Sequence, residues 1–113
     1  MSTKNNKKIM IIDDDKDITN LFSIFLEHNG YIVDAYTHPI EAFNNFRKNS
    51  HDLIILDLKM PMMDGMTLYH KIKEIDDKVI ICFTTANINY IKQLQTGIIL
   101  LILKKLFYTN QYY

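Results

Sequence analysis

A chain of 113 residues with 48% apolar side chains suits one folded domain around one core and is too short for two. Its 13 Lys and Arg balance 13 Asp and Glu, so neither a general nucleic-acid surface nor an anionic-membrane surface is indicated. The single cysteine, Cys82, lies in an apolar run. It excludes an internal disulfide framework and reads as a buried, inert thiol.

Charge is unevenly spread. All 13 acids lie at or before Asp77, and from Lys78 onward there are four lysines and no acid. The start, Met1 to Lys8, is polar and basic, with no apolar stretch of signal-peptide length behind it. The longest late apolar run, Ile98 to Leu103, falls far short of the ~18 residues of a membrane span. A soluble, cytoplasmic domain is expected.

Ile9 to Ile12 predicts a first strand that runs directly into Asp13-Asp14-Asp15. From Asp17 to Asn29, Ile18, Leu21, Phe22, Phe25 and Leu26 recur at helical spacing and mark one buried face. Gly30 supplies the helix stop. Asp15 and Asp17 suit the first turn of this helix, where its dipole favours negative charge. Tyr31 to Tyr36 is rich in β-formers and reads as strand two. Pro39 suits the first turn of a second helix, with Ile40, Phe43 and Phe46 lining its inner face up to about Lys48.

Leu53-Ile54-Ile55-Leu56 then runs straight into Asp57, followed by a Met60-Pro61 turn and Asp64-Gly65. Such a bounded apolar run predicts a strand buried on both faces. A helix from about Gly65 to Ile75 is expected to bury Met66, Tyr69 and Ile72, and strand four spans Val79 to Phe83, ending in Thr84-Thr85-Ala86. Further on, Asn87 to Gln95 reads as a helix stopped by Gly97, and Ile98 to Leu103 as strand five ending in Lys104 and Lys105. Only Leu106 to Tyr113 remain, too few for a normal closing helix. Alternating strands and helices indicate a parallel sheet of βαβ units, a small doubly wound α/β domain. Its core spans about residues 7–105, with a short irregular tail at 106–113. None of His28, His38, His51 and His70 has metal-ligand spacing, and surface positions are expected for all four. The Met60, Met62, Met63 and Met66 cluster reads as turn and core packing.

In an open α/β sheet the ligand site lies at the carboxyl ends of the strands. There this order of elements gathers Asp13 and Asp14 from strand one, Asp57 from strand three, Thr85 from strand four and Lys105 from strand five. Thr84 and Lys104 compete for the last two places; Ala86 after Thr85 favours Thr85. Three crowded carboxylates raise one another's proton affinity unless a cation sits among them. Mg²⁺ suits such a site because it binds through one or two carboxylates and keeps water and phosphate oxygens in its shell. A carboxylate beside such an ion can attack phosphorus to give an acyl phosphate, with the ion, a hydroxyl and a lysine stabilising the phosphoryl oxygens.

Ile11-Ile12-Asp13-Asp14-Asp15, the Asp57-Leu58-Lys59-Met60-Pro61-Met62-Met63-Asp64-Gly65 element, Thr85-Ala86 and Lys105 together resemble the receiver domain of response regulators in two-component signalling. The resemblance implies a flavodoxin-like five-stranded sheet of order 2-1-3-4-5, an order given for the chemotaxis member of this family as a standard case. It implies that Asp57 accepts a phosphoryl group from a histidine kinase or phosphotransfer protein. Asp14, Asp57 and the main-chain carbonyl of Lys59 would bind Mg²⁺ directly and Asp13 through water, while Thr85 and Lys105 contact the phosphoryl oxygens. Lys59 and Asn87 would flank the attacking water and so influence phosphate lifetime. The protein would be a phosphoacceptor switch without an output domain of its own rather than an enzyme, and would signal to a downstream protein target by conformational change.

Three features depart from the family pattern. Lys105 is followed by Leu106 where the family has proline, and because a non-proline cis bond costs ~3 kcal/mol a trans bond is expected there. Ile102 stands where an aromatic switch residue is usual, and the closing fifth helix is missing or rudimentary. A bare sheet face would follow, and a truncated, frame-shifted or divergent C-terminus, a partner such as a second copy covering that face, or a tail folded back over it would each account for it. The alternative function is a pseudo-receiver, a binding module with the fold but impaired phospho-switching. An aspartyl-phosphate phosphatase is disfavoured because Lys59 stands where that chemistry wants a second acid.

Overall fold

A computed structural model describes residues 7–84. They form β1 (Lys8–Ile12), α1 (Lys16–His28), β2 (Ile32–Tyr36), α2 (Pro39–Asn44), β3 (Leu53–Asp57), α3 (Gly65–Ile75) and β4 (Ile80–Thr84). The four strands are parallel in the order β2-β1-β3-β4. This is the doubly wound α/β sheet expected from the alternation of elements. The expected fifth strand, the helix before it and the tail lie outside the described residues.

The two central strands carry apolar side chains on both faces because helices cover both. Ile9, Ile11, Leu53 and Ile55 pack with Ile18, Phe22 and Leu26 of α1. On the other face Met10, Ile12, Ile54 and Leu56 pack with Ala42, Phe46, Leu68 and Ile72. Burying each such Ile or Leu stabilises the fold by about 1.5–3 kcal/mol. β2 lies at the sheet's edge and shows mixed burial instead.

Local signals end the helices. Asp15 caps α1 by accepting the Asp17 amide at 2.9 Å. At the other end Gly30 has φ 92°. The Gly30 amide donates to Glu27 O and the Tyr31 amide to Leu26 O, which together make a Schellman stop. The second helix ends at Asn44, four residues before the Lys48 limit expected from its apolar pattern. Asn45 turns its side chain back to Glu41 O, and the Arg47 guanidinium takes Asn44 O and Phe46 O. Polar side chains thus satisfy the carbonyls that a further helical turn would have used.

The inner faces of α2 and α3 also differ from the expected ones. Ile40 is half exposed, and Pro39 and Ala42 are buried in its place. In α3 Met66 is exposed, while Leu68 and Ile72 are fully buried and Tyr69 only partly. Gly65 itself lies against the end of β3, and Gly65, Leu68 and Ile72 form the buried side of the helix. Of the methionine cluster, Met60 is buried and Met62 exposed. Cys82 is half buried on β4 and its thiol is pushed up by desolvation, in keeping with an inert side chain.

His51 is buried, not on the surface. Asp34 on β2 is paired in register with Met10 and so faces the α2 and α3 side. His51 Nε2 lies 2.8 Å from Asp34 Oδ2, its Nδ1 lies 2.7 Å from Ser50 Oγ, and its ring stacks on Phe46. An inward-pointing acid on an edge strand discourages pairing with another chain, and this one is satisfied from inside. Removing a partner from such a pair costs about 1–3 kcal/mol beyond any packing loss. His51→Ala is expected to lower unfolding stability in urea by roughly 2–3 kcal/mol. A double-mutant cycle with Asp34→Ala should return a coupling of at least about 0.5 kcal/mol, and strict additivity would refute the pairing.

Candidate phosphoacceptor and metal site

The site follows from strand register. Parallel pairing sets Ile9 beside Leu53 and Ile12 beside Leu56. Continuing it one residue brings Asp13 beside Asp57. The Asp13 amide still bonds to Tyr36 O at 3.1 Å, so the chain leaves β1 in strand direction. Asp57 is the last residue of β3 and is paired in turn with Thr84 of β4.

Asp13 and Asp57 are each only 3% exposed, whereas Asp14 is open to solvent. One carboxylate oxygen from each of Asp13, Asp14 and Asp57 lies within 4.8 Å of the others. Each buried carboxylate is held by the amide two residues further on: Asp15 N–H donates to Asp13 Oδ1 at 2.9 Å and Lys59 N–H to Asp57 Oδ1 at 3.0 Å. The cleft holds about 200 Å³ and is lined by Asp13, Asp14, Asp15, Ile18, Asp57 and Lys59. Beside it, Leu58, Lys59, Met60, Pro61 and Asp64 line a second, open groove.

Gly65 lies against the main chain at the end of β3. A Cβ there would fall 2.5 Å from Asp57 O and 2.6 Å from Leu58 Cα, distances no real side chain adopts. Glycine therefore allows α3 to start directly on the end of β3. As a sequence, Asp64-Gly65 reads as a turn signal and does not announce this contact. The available sign was a glycine at a helix's first position, where no positive φ is required. Ile18 and Asp15 also line the cleft, although their spacing marks them only as parts of α1.

Burial pushes the Asp13 carboxyl up from 3.8 to about 7, with the charges of Asp57 and Asp14 adding and the Asp15 amide opposing. Burial also raises Asp57, against the Lys59 amide and with the Asp14 charge. Burial disfavours the ionised form of both carboxyls, and the neighbouring carboxylates add to it, so a cation placed among them would be favoured. All its donors are hard carboxylate oxygens, which suit Mg²⁺ or Ca²⁺ and not a thiolate-seeking metal. Asp13, Asp14, Asp57 and Lys59 are thus brought together as expected. Thr85, Asn87 and Lys105 lie outside the described residues.

The raised carboxyls carry a pH signature. Folded Asp13 binds its proton up to about pH 7, whereas the unfolded chain releases it near 3.8. Between these values the folded state holds more protons, so metal-free stability falls as pH rises. Melting of the metal-free protein should therefore show a downward slope from pH 4 to 7 that is flattened in Asp13→Asn. Added Mg²⁺ should raise the melting temperature more at pH 7.5 than at pH 5, where protons compete. An Asp13→Asn profile parallel to wild type would contradict the assignment.

The chain can be placed among known proteins. A family model described as "Response regulator receiver domain" matches residues 9–110. Transcriptional regulatory protein RprY of Bacteroides fragilis is 32% identical over 79 residues, which are 70% of this chain and 34% of that protein. Sporulation initiation phosphotransferase F of Bacillus subtilis is 32% identical over 81 residues, 72% of this chain and 65% of that one. The chain therefore spans about a third of the first relative and just under two thirds of the second. Among solved structures, response regulator protein TrrA of Thermotoga maritima, in complex with Mg(2+)-BeF, superimposes with a TM-score of 0.66 at 30% identity, covering 80% of this chain and 79% of that one. A second structure, TrrA in complex with histidine kinase ThkA, gives a TM-score of 0.65 at 31% identity, over 71% of this chain and 69% of that one. With its fold, its three strand-end carboxylates and a family match over nearly its whole length, the chain belongs to the response regulator receiver domain family.

Proposed function

We propose that this chain is a phosphoacceptor switch in which Asp57 takes a phosphoryl group from a histidine kinase or phosphotransfer protein. The observation that carries the reading is the convergence of the Asp13, Asp14 and Asp57 carboxylates within 4.8 Å at the ends of adjacent strands. The complexes of TrrA with Mg(2+)-BeF and with a histidine kinase support it by analogy. The domain would comprise about residues 7–105, with 106–113 as a tail. Among the described residues no helix is long and apolar enough to cross a membrane.

In this reading a carboxylate oxygen of Asp57 forms a P–O bond while the P–N bond to the donor's imidazole breaks. The imidazole nitrogen keeps the electron pair and later takes a proton. The Lys59 amide on Oδ1 fixes the carboxylate's rotation and leaves Oδ2 to attack. Asp13, Asp14, Asp57 and the Lys59 carbonyl would hold Mg²⁺, which when bound neutralises charge on the phosphoryl oxygens. Thr85 and Lys105 would contact the same oxygens, and the resulting rearrangement would be read by a downstream protein. Lys59 lines the mouth of the cleft and would influence the approach of hydrolytic water.

Incubation with Mg²⁺ and a small amidophosphate donor should give a single hydroxylamine-labile phosphoryl adduct, located on Asp57 by mass spectrometry. Asp57→Asn should give none, and Asp13→Asn should slow the reaction roughly tenfold or more, as expected if ~1.4 kcal/mol of stabilisation is lost. A wild-type protein that stays unmodified under these conditions would instead mark the chain as a pseudo-receiver.

A further inference from the structure

The geometry points to Gly65 as a positioning residue that sets the orientation of the Asp57 carboxylate through one peptide unit, the Leu58–Lys59 amide. The inference deepens the proposed phosphoacceptor reading and rests on it for its chemical consequence. Leu58 C=O and Lys59 N–H belong to the same peptide, which is planar and trans, so they point in opposite directions. On one side Leu58 O accepts the Gly65 amide at 3.0 Å. On the other, Lys59 N–H donates to Asp57 Oδ1 at 3.0 Å. Turning the peptide at one end therefore turns it at the other. The helix start and the carboxylate are linked by a rigid lever.

Among the described residues the preceding peptide meets β4 through Leu58 N–H to Thr84 O, at a long 3.5 Å. The Gly65 bond is the better-formed anchor of the turn, and it exists because residue 65 has no side chain. Any Cβ would stand 2.5 Å from Asp57 O and 2.6 Å from Leu58 Cα, both main-chain atoms that cannot swing aside. The first turn of α3 would then have to lift away and carry the Gly65 amide off Leu58 O. Gly65 has no part in the chemistry itself. It acts through the Leu58–Lys59 peptide, and a reacting group misplaced by such a shift loses rate steeply.

The test uses the full chain with Gly65→Ala, and Ile72→Val and Ile72→Ala as controls that loosen α3 from its buried side about two helical turns beyond Gly65. The lever predicts that Gly65→Ala moves the Lys59 amide resonance and reduces its hydrogen-exchange protection. It should also lower the maximal rate of phosphorylation by amidophosphate roughly ten- to a hundredfold, with little change in the donor concentration giving half that rate. Ile72→Ala, even if it costs more stability, should leave the Lys59 resonance and the maximal rate near wild type. A Gly65→Ala protein with an unmoved Lys59 amide, or Ile72 variants that change it as much, would overturn the proposal. If Gly65→Ala does not fold, the wild type still decides. Gly65 and Lys59 amides should exchange through one common opening with matching urea dependence, and unequal opening would refute the lever. The Lys59 readout needs no phosphoryl transfer, so it stands even if Asp57 accepts none.

Discussion

The structure depends on the parallel register of β1 and β3. Four apolar residues on each strand, buried on both faces, hold that register by several kcal/mol of burial. A slip of one residue would turn every one of those side chains to the wrong face. The same register delivers Asp13 and Asp57 to neighbouring positions at the strand ends. Hydrophobic packing thus fixes two carboxylates side by side in a buried place, and burial is the main reason their proton affinity is raised.

The two ends of the sheet treat acidic side chains in opposite ways. At the amino ends of the strands Asp76 is buried, but it accepts main-chain amides from Asn49 and Lys78, and its carboxyl is held below the usual range chiefly by the Asn49 amide. Asp52 there accepts the Lys8 amide, and His51, just before β3, reaches Asp34 in the middle of β2. At the carboxyl ends Asp13 and Asp57 have one amide each and a like-charged neighbour. One end is balanced internally and serves stability. The other retains negative charge that an external cation can answer, which is what a binding site requires.

Much of this was legible from residue order. The run Leu53 to Asp57 announced a buried strand ending in a carboxylate, Asp13 and Asp14 announced a partner, and the structure joins them. Less legible were the faces of short helices. Ile40 and Met66 fit an apolar periodicity yet are exposed: α2 stops after six residues with Pro39 and Ala42 inside, and α3 buries Gly65, Leu68 and Ile72 instead. His51 escaped for a related reason. A histidine beside serine and aspartate in a polar segment gives no sign of burial, and its partner, Asp34, is 17 residues away.

By itself the sequence determined the alternation of strands and helices, the buried central strands and the identity of the acids at their ends. These rest on local patterns of polarity and on turn residues, which neighbouring side chains express directly. Only the tertiary structure decided how closely the acids approach, which oxygens their amides restrain, how far burial raises their proton affinity, and that a glycine on α3 bears on Asp57. Those quantities depend on distances between residues far apart in the chain, and such distances are set when the helices pack against the sheet.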